Sequence, residues 1–226
     1  DSTQISRGEN LSDTAKALSG MVDIIIMRTH NHEEIEELAA NSTVPIINGL
    51  TEKFHPCQLL ADMQTFYESK GSIQGKKIAW VGDGCNMCNS YINASKILDF
   101  HLKISTPSGF EPDKKTLNLA KDNAELCDLP GTAVEDCDLV TTDVWTSMGS
   151  EAEVEKRKNI FKGYQINQNL FDKAKKDAIF MHCLPAHRGE EVASEVIDGK
   201  NSLVWQQAHN RLHTSKALIE FLLSQE

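Results

Sequence analysis

The 226 residues are 40% hydrophobic and 25% charged, a globular composition able to bury one substantial core or two smaller ones. A formal net charge of -10 disfavours nucleic acid as the main partner, because a phosphate backbone needs a basic face, and no apolar run approaches the roughly 18 residues of a membrane span. The six cysteines lie in a long chain that opens without a charged-then-apolar secretory segment, so free thiols in a reducing, cytoplasmic compartment are expected; a first residue of Asp rather than Met suggests processing or truncation upstream.

From the amino end, Asp13 to Leu18 has the spacing of a short helix ended by Gly20. Residues 22–28 read as a buried strand delivering Arg28 at its carboxyl end, where the guanidinium serves a site or merely caps the strand. Residues 33–40 form a helix with acidic residues on one face and Ile35, Leu38 and Ala39 on the other, and 44–49 form a strand into a turn, which is βαβ grammar. His55-Pro56-Cys57-Gln58 then opens a helix with Pro56 in the favoured first position and Leu59, Leu60, Met63, Phe66 and Tyr67 as its apolar face. Such a helix start attracts anions through unpaired amides and the positive dipole end, with His55 and Gln58 adding donors; taken alone, His55 reads more simply as a helix cap.

Gly71-Ser72-Ile73-Gln74-Gly75 is the best domain boundary, followed by a second α/β unit. Residues 77–81 read as a strand, 82–90 as a turn into a helix and 101–105 as the next strand. Gly82 and Gly84 imitate a dinucleotide fingerprint, but Met87 replaces its third glycine and no acid follows the strand at Ser105, so no nicotinamide cofactor is expected. Residues 111–126 read as helix, 139–143 as a strand ending in Asp143, 144–151 as a polar loop and 170–176 as helix. Residues 202–205 read as the last strand, and 210–223 as an amphipathic helix with Leu212, Ala217, Leu218, Phe221 and Leu222 apolar.

Between these lies Met181-His182-Cys183-Leu184-Pro185-Ala186-His187-Arg188-Gly189-Glu190-Glu191, which follows a buried strand at 178–181 and places a thiol, imidazoles, a guanidinium and carboxylates in one loop. Helical spacing restarts over 190–197. A zinc site of His182, Cys183 and His187 is the bland alternative, disfavoured because no second spaced Cys/His pair stands nearby. Arg28, His55, Gln58, Asn86, Asp143, Cys183 and Arg211 all fall just past strands or at helix starts, so one cleft between two sheets can gather them.

Three segments, His55-Pro56-Cys57-Gln58-Leu59-Leu60-Ala61-Asp62, Asp143-Val144-Trp145-Thr146-Ser147-Met148-Gly149 and His182-Cys183-Leu184-Pro185, together resemble the signatures of the ornithine carbamoyltransferase family, over nearly the whole chain. The resemblance implies an α/β fold of two domains with parallel sheets flanked by helices, the second Rossmann-like. Residues 1–70 would be an incomplete carbamoyl phosphate-binding domain, completed by the C-terminal helix 209–226, and 71–208 an ornithine-binding domain. It also implies transfer of a carbamoyl group from carbamoyl phosphate to ornithine's side-chain amine, giving citrulline and phosphate for arginine biosynthesis, without metal or cofactor, in a homotrimer or higher assembly.

By the same resemblance, Arg28, His55 and Arg211 polarise the carbamoyl carbonyl, and Gln58 with the carbonyls of Cys183 and Leu184 holds its amide. Gln4 reaches a neighbouring subunit's carbamoyl phosphate; Asp143 and Cys183 orient the amine; Asn86, Asp143, Ser147 and Met148 bind the amino-acid end of ornithine. Two departures stand out. Cys85 replaces the family's usual Asn, and the family's phosphate-gripping Ser-x-Arg-Thr-Arg segment is absent, so the chain from Asp1 alone is expected to be a poor catalyst. Rival readings are a carbamoyltransferase for another amine, such as putrescine, and a catalytically silent homologue.

Overall fold

The computed structural model describes residues 10–146 and 151–224, with backbone alone for 151–153. Among them, Asn10 and Asn31 open the first two helices, each side chain accepting the amide N–H two residues on. These helices are α1 (Leu11–Ser19) and α2 (His32–Asn41), and they pack on each other beside two parallel strands, β1 (Ile25–Arg28) and β2 (Ile46–Leu50). Both strands start two or three residues later than their apolar runs. Helix α3 (Pro56–Lys70) follows, and Gly71 and Gly75, both at positive φ, turn the chain into the second sheet.

That sheet contains β3 (Lys77–Val81), β4 (His101–Ser105), β5 (Ala124–Leu126), β6 (Leu139–Thr142) and β7 (Ile179–His182), all parallel, in the order β5-β4-β3-β6-β7. Alternation along the strands divides the core. Ile78 and Trp80 face a cluster with Phe66, Tyr91, Phe100 and Met181, while Ala79 and Val81 face Val134, Phe180, Val192 and Val204 on the other side. The chain winds outward from β3 to β5, then returns to place β6 on the opposite side of β3. The carboxyl ends of β3 and β6 therefore flank a topological switch point, where open α/β sheets hold their ligands.

The helices of this unit are α4 (Asn86–Leu98), α5 (Lys114–Leu119), α6 (Pro130–Val134), α7 (Glu151–Phe161), α8 (Gln168–Phe171), α9 (Ser194–Ile197) and α10 (Val204–Leu223). Several differ from the expected pattern. The helix expected over 111–126 is only α5, started by Asp113 on the amide of Thr116; the chain then turns at Asp122 and Asn123, and residues 124–126 pair with β4 as an edge strand. The helix expected over 170–176 is α8, which begins earlier and gives way to turns. The helix expected over 190–197 shrinks to α9, because residues 191–193 extend to exchange hydrogen bonds with Ile166.

No strand forms over 202–205. Ser202 makes one bridge to Phe180, Leu203 donates to the Phe180 carbonyl, and α10 begins at once with Val204 buried. Helix α10 runs back along α3, but through a polar seam. Asn210 donates to Thr65 and Glu68, and Gln207 to Asp62, while Leu212 and Phe221 of its expected apolar face are exposed. The facing side of α3 is likewise polar: Gln58, Asp62 and Thr65 are buried, whereas Leu60 and Tyr67, expected inside, are exposed.

Candidate active site

At the switch point the loop after β3 carries Gly82-Asp83-Gly84-Cys85. A Cβ at Gly84 would collide with the backbone of Phe110–Pro112, which hydrogen-bonds the Gly84 amide at 2.8 Å. Close chain packing thus accounts for this glycine without a pyrophosphate. Helix α4 then ties the turn after β2 to the second sheet: Asn86 Nδ2 donates to the Thr51 carbonyl (2.8 Å), Asn89 Nδ2 to the Lys53 carbonyl (3.2 Å), and Ser90 Oγ accepts from the His55 amide (2.8 Å). Asn86 therefore already spans the two parts of the molecule, and Ser90 fixes His55.

His55 stands at the N-cap of α3, yet its side chain makes no capping bond and its Nδ1 is buried without a partner. The helix-cap reading is therefore set aside. Burial, reinforced by the nearby Arg211 and Arg28 and opposed by Asp143, lowers its pKa from 6.5 to about 4. The ring is thus neutral near pH 7, with one N–H to donate. The same influences bring Arg28, at the end of β1, and Arg211, on α10, into one electrostatic neighbourhood with His55 and Asp143. Gln58, one turn into α3, is fully buried; its Nε2 donates to Asp62 and its Oε1 has no partner.

Across the switch point, Asp143 follows β6. Its Oδ1 accepts from the Val144 amide at 2.7 Å and from Cys183 Sγ at 3.0 Å, and its Oδ2 faces Cys85 Sγ at 3.5 Å. Burial first, then the Asp143 charge, pushes both thiols well above their ordinary pKa. They stay protonated and act as donors, which makes Cys183 a poor nucleophile and leaves it a polar contact. Cys85, where the resemblance leads one to expect Asn, still addresses Asp143.

The loop after β7 is built around a buried pair that the motif reading missed. The Leu184 amide donates to His182 Nδ1 (2.9 Å), and His182 Nε2 lies 3.2 Å from Glu191 Oε1 without completing a hydrogen bond; both side chains are fully buried. Glu191 also accepts the His187 amide at 2.5 Å. Leu184 has φ +56 and a cis bond to Pro185. Arg188 lies away from this centre, paired through two nitrogens with Asp198, and Lys158 pairs with Glu190. The zinc reading loses its ligand set: Asp143, His182 and Cys183 come within 4.8 Å of one another, but His187 groups with Glu190 and Glu191 instead.

Arg157, on a helix too polar to reveal it, clamps the loop after β6. It donates to the Trp145 carbonyl at 2.6 Å, pairs with Asp83, and lies over Phe110 and Phe161. Gln4, Ser147 and Met148 lie outside the described residues. Of the other predicted residues, His55 feels the charges of Arg211, Arg28 and Asp143, Asp143 contacts Cys183, which precedes Leu184, Gln58 is buried in α3, and Asn86 bonds the turn after β2.

A parallel α/β sheet with a buried imidazole influenced by two guanidinium groups, and a carboxylate contacted by two thiols just after β6, has the layout of an α/β enzyme. Comparison with known proteins names the family. Residues 1–68 match the carbamoyl-P binding domain of aspartate/ornithine carbamoyltransferase, and residues 74–222 match its Asp/Orn binding domain. The chain is 53% identical over 222 residues to an ornithine carbamoyltransferase of Hydrogenovibrio crunogenus, covering 98% of this chain and 74% of the relative, and 55% identical over 221 residues to one of Nitrosococcus oceani, covering 98% and 73%. The solved ornithine carbamoyltransferase of Pyrococcus furiosus superposes with a TM-score of 0.93 at 48% identity, covering 97% of this chain and 72% of that one; the Burkholderia thailandensis structure gives 0.91 at 48%, covering 99% and 73%. The chain belongs to the aspartate/ornithine carbamoyltransferase family.

Proposed function

We infer that this protein is an ornithine carbamoyltransferase, transferring the carbamoyl group of carbamoyl phosphate to the side-chain amine of L-ornithine to give L-citrulline and phosphate. What supports the reading is a chain more than half identical to curated ornithine carbamoyltransferases, in which Asp143 contacts Cys183 and His55 feels the charges of Arg211, Arg28 and Asp143. Carbamoyl phosphate presents a carbonyl that gains negative charge when attacked. A neutral imidazole N–H and two guanidinium groups stabilise that oxygen without first having to give up a proton. Gln58 Oε1, buried and unpartnered, takes the carbamoyl N–H with the carbonyls of Cys183 and Leu184.

Ornithine's side-chain amine has a lysine-like pKa near 10.4 and arrives as an ammonium ion. Asp143 draws it in by charge, Cys183 orients it, and Asn86, Ser147 and Met148 hold the amino-acid end. Having lost one proton to solvent, the nitrogen attacks the carbonyl carbon. A C–N bond forms, the tetrahedral intermediate collapses and the C–O bond to phosphate breaks, the electron pair leaving on phosphate, which takes up the second proton that the nitrogen sheds. Residues 1–70, with the C-terminal helix 209–226 returned against α3, would bind carbamoyl phosphate, and residues 71–208 ornithine. We further propose a cytoplasmic homotrimer, with Gln4 serving a neighbouring subunit's site, in arginine biosynthesis. No described helix is long and apolar enough to cross a membrane. Carbon-labelled carbamoyl phosphate and ornithine supplied to the full-length protein should give labelled citrulline and phosphate in equal amounts; phosphate release without citrulline would overturn the reading.

A further inference from the structure

Beneath the cleft lies a buried carboxyl that the reaction described above does not use. Asp62, on the second turn of α3, is 1% exposed. Its Oδ1 accepts from Gln58 Nε2 at 2.9 Å and from Gln207 Nε2 at 2.6 Å, and its Oδ2 accepts the Tyr91 hydroxyl at 2.7 Å. The three donors come from α3, α10 and α4, so one carboxyl joins three helices. Gln58 Oε1 and Gln207 Oε1 are both buried without partners. Because Asp62 takes the amino end of the Gln58 amide, the oxygen is the end left for a ligand. An amide turned the other way would set its NH2 against a carbamoyl NH2, donor against donor. Gln207 also stands one helical turn before Arg211, on the same face of α10.

We propose that Asp62 is a positioning residue for carbamoyl phosphate: by binding the Gln58 NH2 it keeps the Gln58 oxygen turned to the carbamoyl nitrogen, and by binding Gln207 it holds α10 in the register that presents Arg211. This deepens, and rests on, the carbamoyl transfer proposed above. Buried polar groups joined in this way act as a unit, and losing one acceptor reorients the rest. The network also accounts for the polar face that α3 buries, which a purely structural helix contact does not require.

The test is Asp62→Leu in the full-length protein, which keeps a side chain of similar size but offers no acceptor to Gln58, Gln207 or Tyr91. The Gln58 NH2 then loses the partner that sets its orientation. The KM for carbamoyl phosphate should rise at least about tenfold while the KM for ornithine stays within about twofold. An unchanged carbamoyl phosphate KM, or an equal rise for both substrates, overturns the proposal. Should Asp62→Leu fail to fold, Gln207→Met leaves the Asp62 to Gln58 bond in place and acts through Arg211. It should raise the carbamoyl phosphate KM about threefold or more with ornithine unaffected, and no change there overturns the proposal as well. If the unaltered protein makes no citrulline, the function itself fails; if it does and both variants match it, only the role of Asp62 fails.

Discussion

His55 carries a measurable signature in the pH dependence of stability. Its pKa falls from 6.5 to about 4 on folding, chiefly through burial and then through Arg211 and Arg28. Between those two values the unfolded chain holds more protons than the folded one, so stability rises with pH through the window and is lost as pH falls from 6.5 towards 4. The two values correspond to about 2 kcal/mol at pH 5, and solvent reaching the partly open ring reduces this to about 1 kcal/mol. Urea unfolding at pH 7 and pH 5, for the unaltered protein and for His55→Gln, isolates the term, because every other titrating group, Asp62 with its pKa raised to about 8 included, contributes to both proteins alike. The unaltered protein should lose about 1 kcal/mol more than the variant on acidification. Parallel losses would mean that His55 titrates as it does in the unfolded chain, and that burial and the two arginines do not depress it.

Asp143→Ala and Cys183→Ala should each weaken ornithine use by roughly tenfold to a hundredfold, the worth of a charge-assisted contact, while carbamoyl phosphate binding measured by calorimetry changes little. Arg28→Ala should reverse that pattern, and loss of carbamoyl phosphate binding in Cys183→Ala with ornithine spared would show the roles to be misassigned. Glu191→Ala removes the partner of His182 and of the His187 amide in a fully buried place, and should lower stability by about 2 to 4 kcal/mol in urea unfolding. Gly84→Ala drives a methyl group into the backbone at Phe110–Pro112 and should cost about 3 kcal/mol or prevent soluble expression; a melting temperature equal to the unaltered protein would refute the close approach.

The elements that were legible are those whose burial is written in apolar residues. β3 and β7 are near-continuous apolar runs because both faces of a parallel sheet are covered, β4 alternates Leu102 and Ile104 with polar residues, and α4 follows a turn marked by glycines. Edge strand β5, three residues with two exposed, leaves almost no pattern and was absorbed into a helix. Arg28, His55, Asp143 and Cys183 stand out in the sequence because each ends or follows a strand or opens a helix, where ligands gather in this class of fold. Asp62, Gln207 and Glu191 were not, since a buried polar residue looks like a surface one in sequence and its partners are remote: Asp62 and Gln207 stand 145 positions apart. The C-terminal helix misled for the same reason, with its buried seam polar and much of its leucine face exposed.

We propose that the site takes an α-amino acid bearing a side-chain amine, with Asp143 meeting the amine and Asn86, Ser147 and Met148 the amino-acid end. Steady-state rates with carbamoyl phosphate and, in turn, L-ornithine, putrescine and L-aspartate test it most directly. The kcat/KM for ornithine should be at least about a hundredfold above either alternative, the discrimination expected when a site's polar groups are left unpaired by the wrong acceptor. A kcat/KM for putrescine or aspartate equal to or above that for ornithine would contradict it.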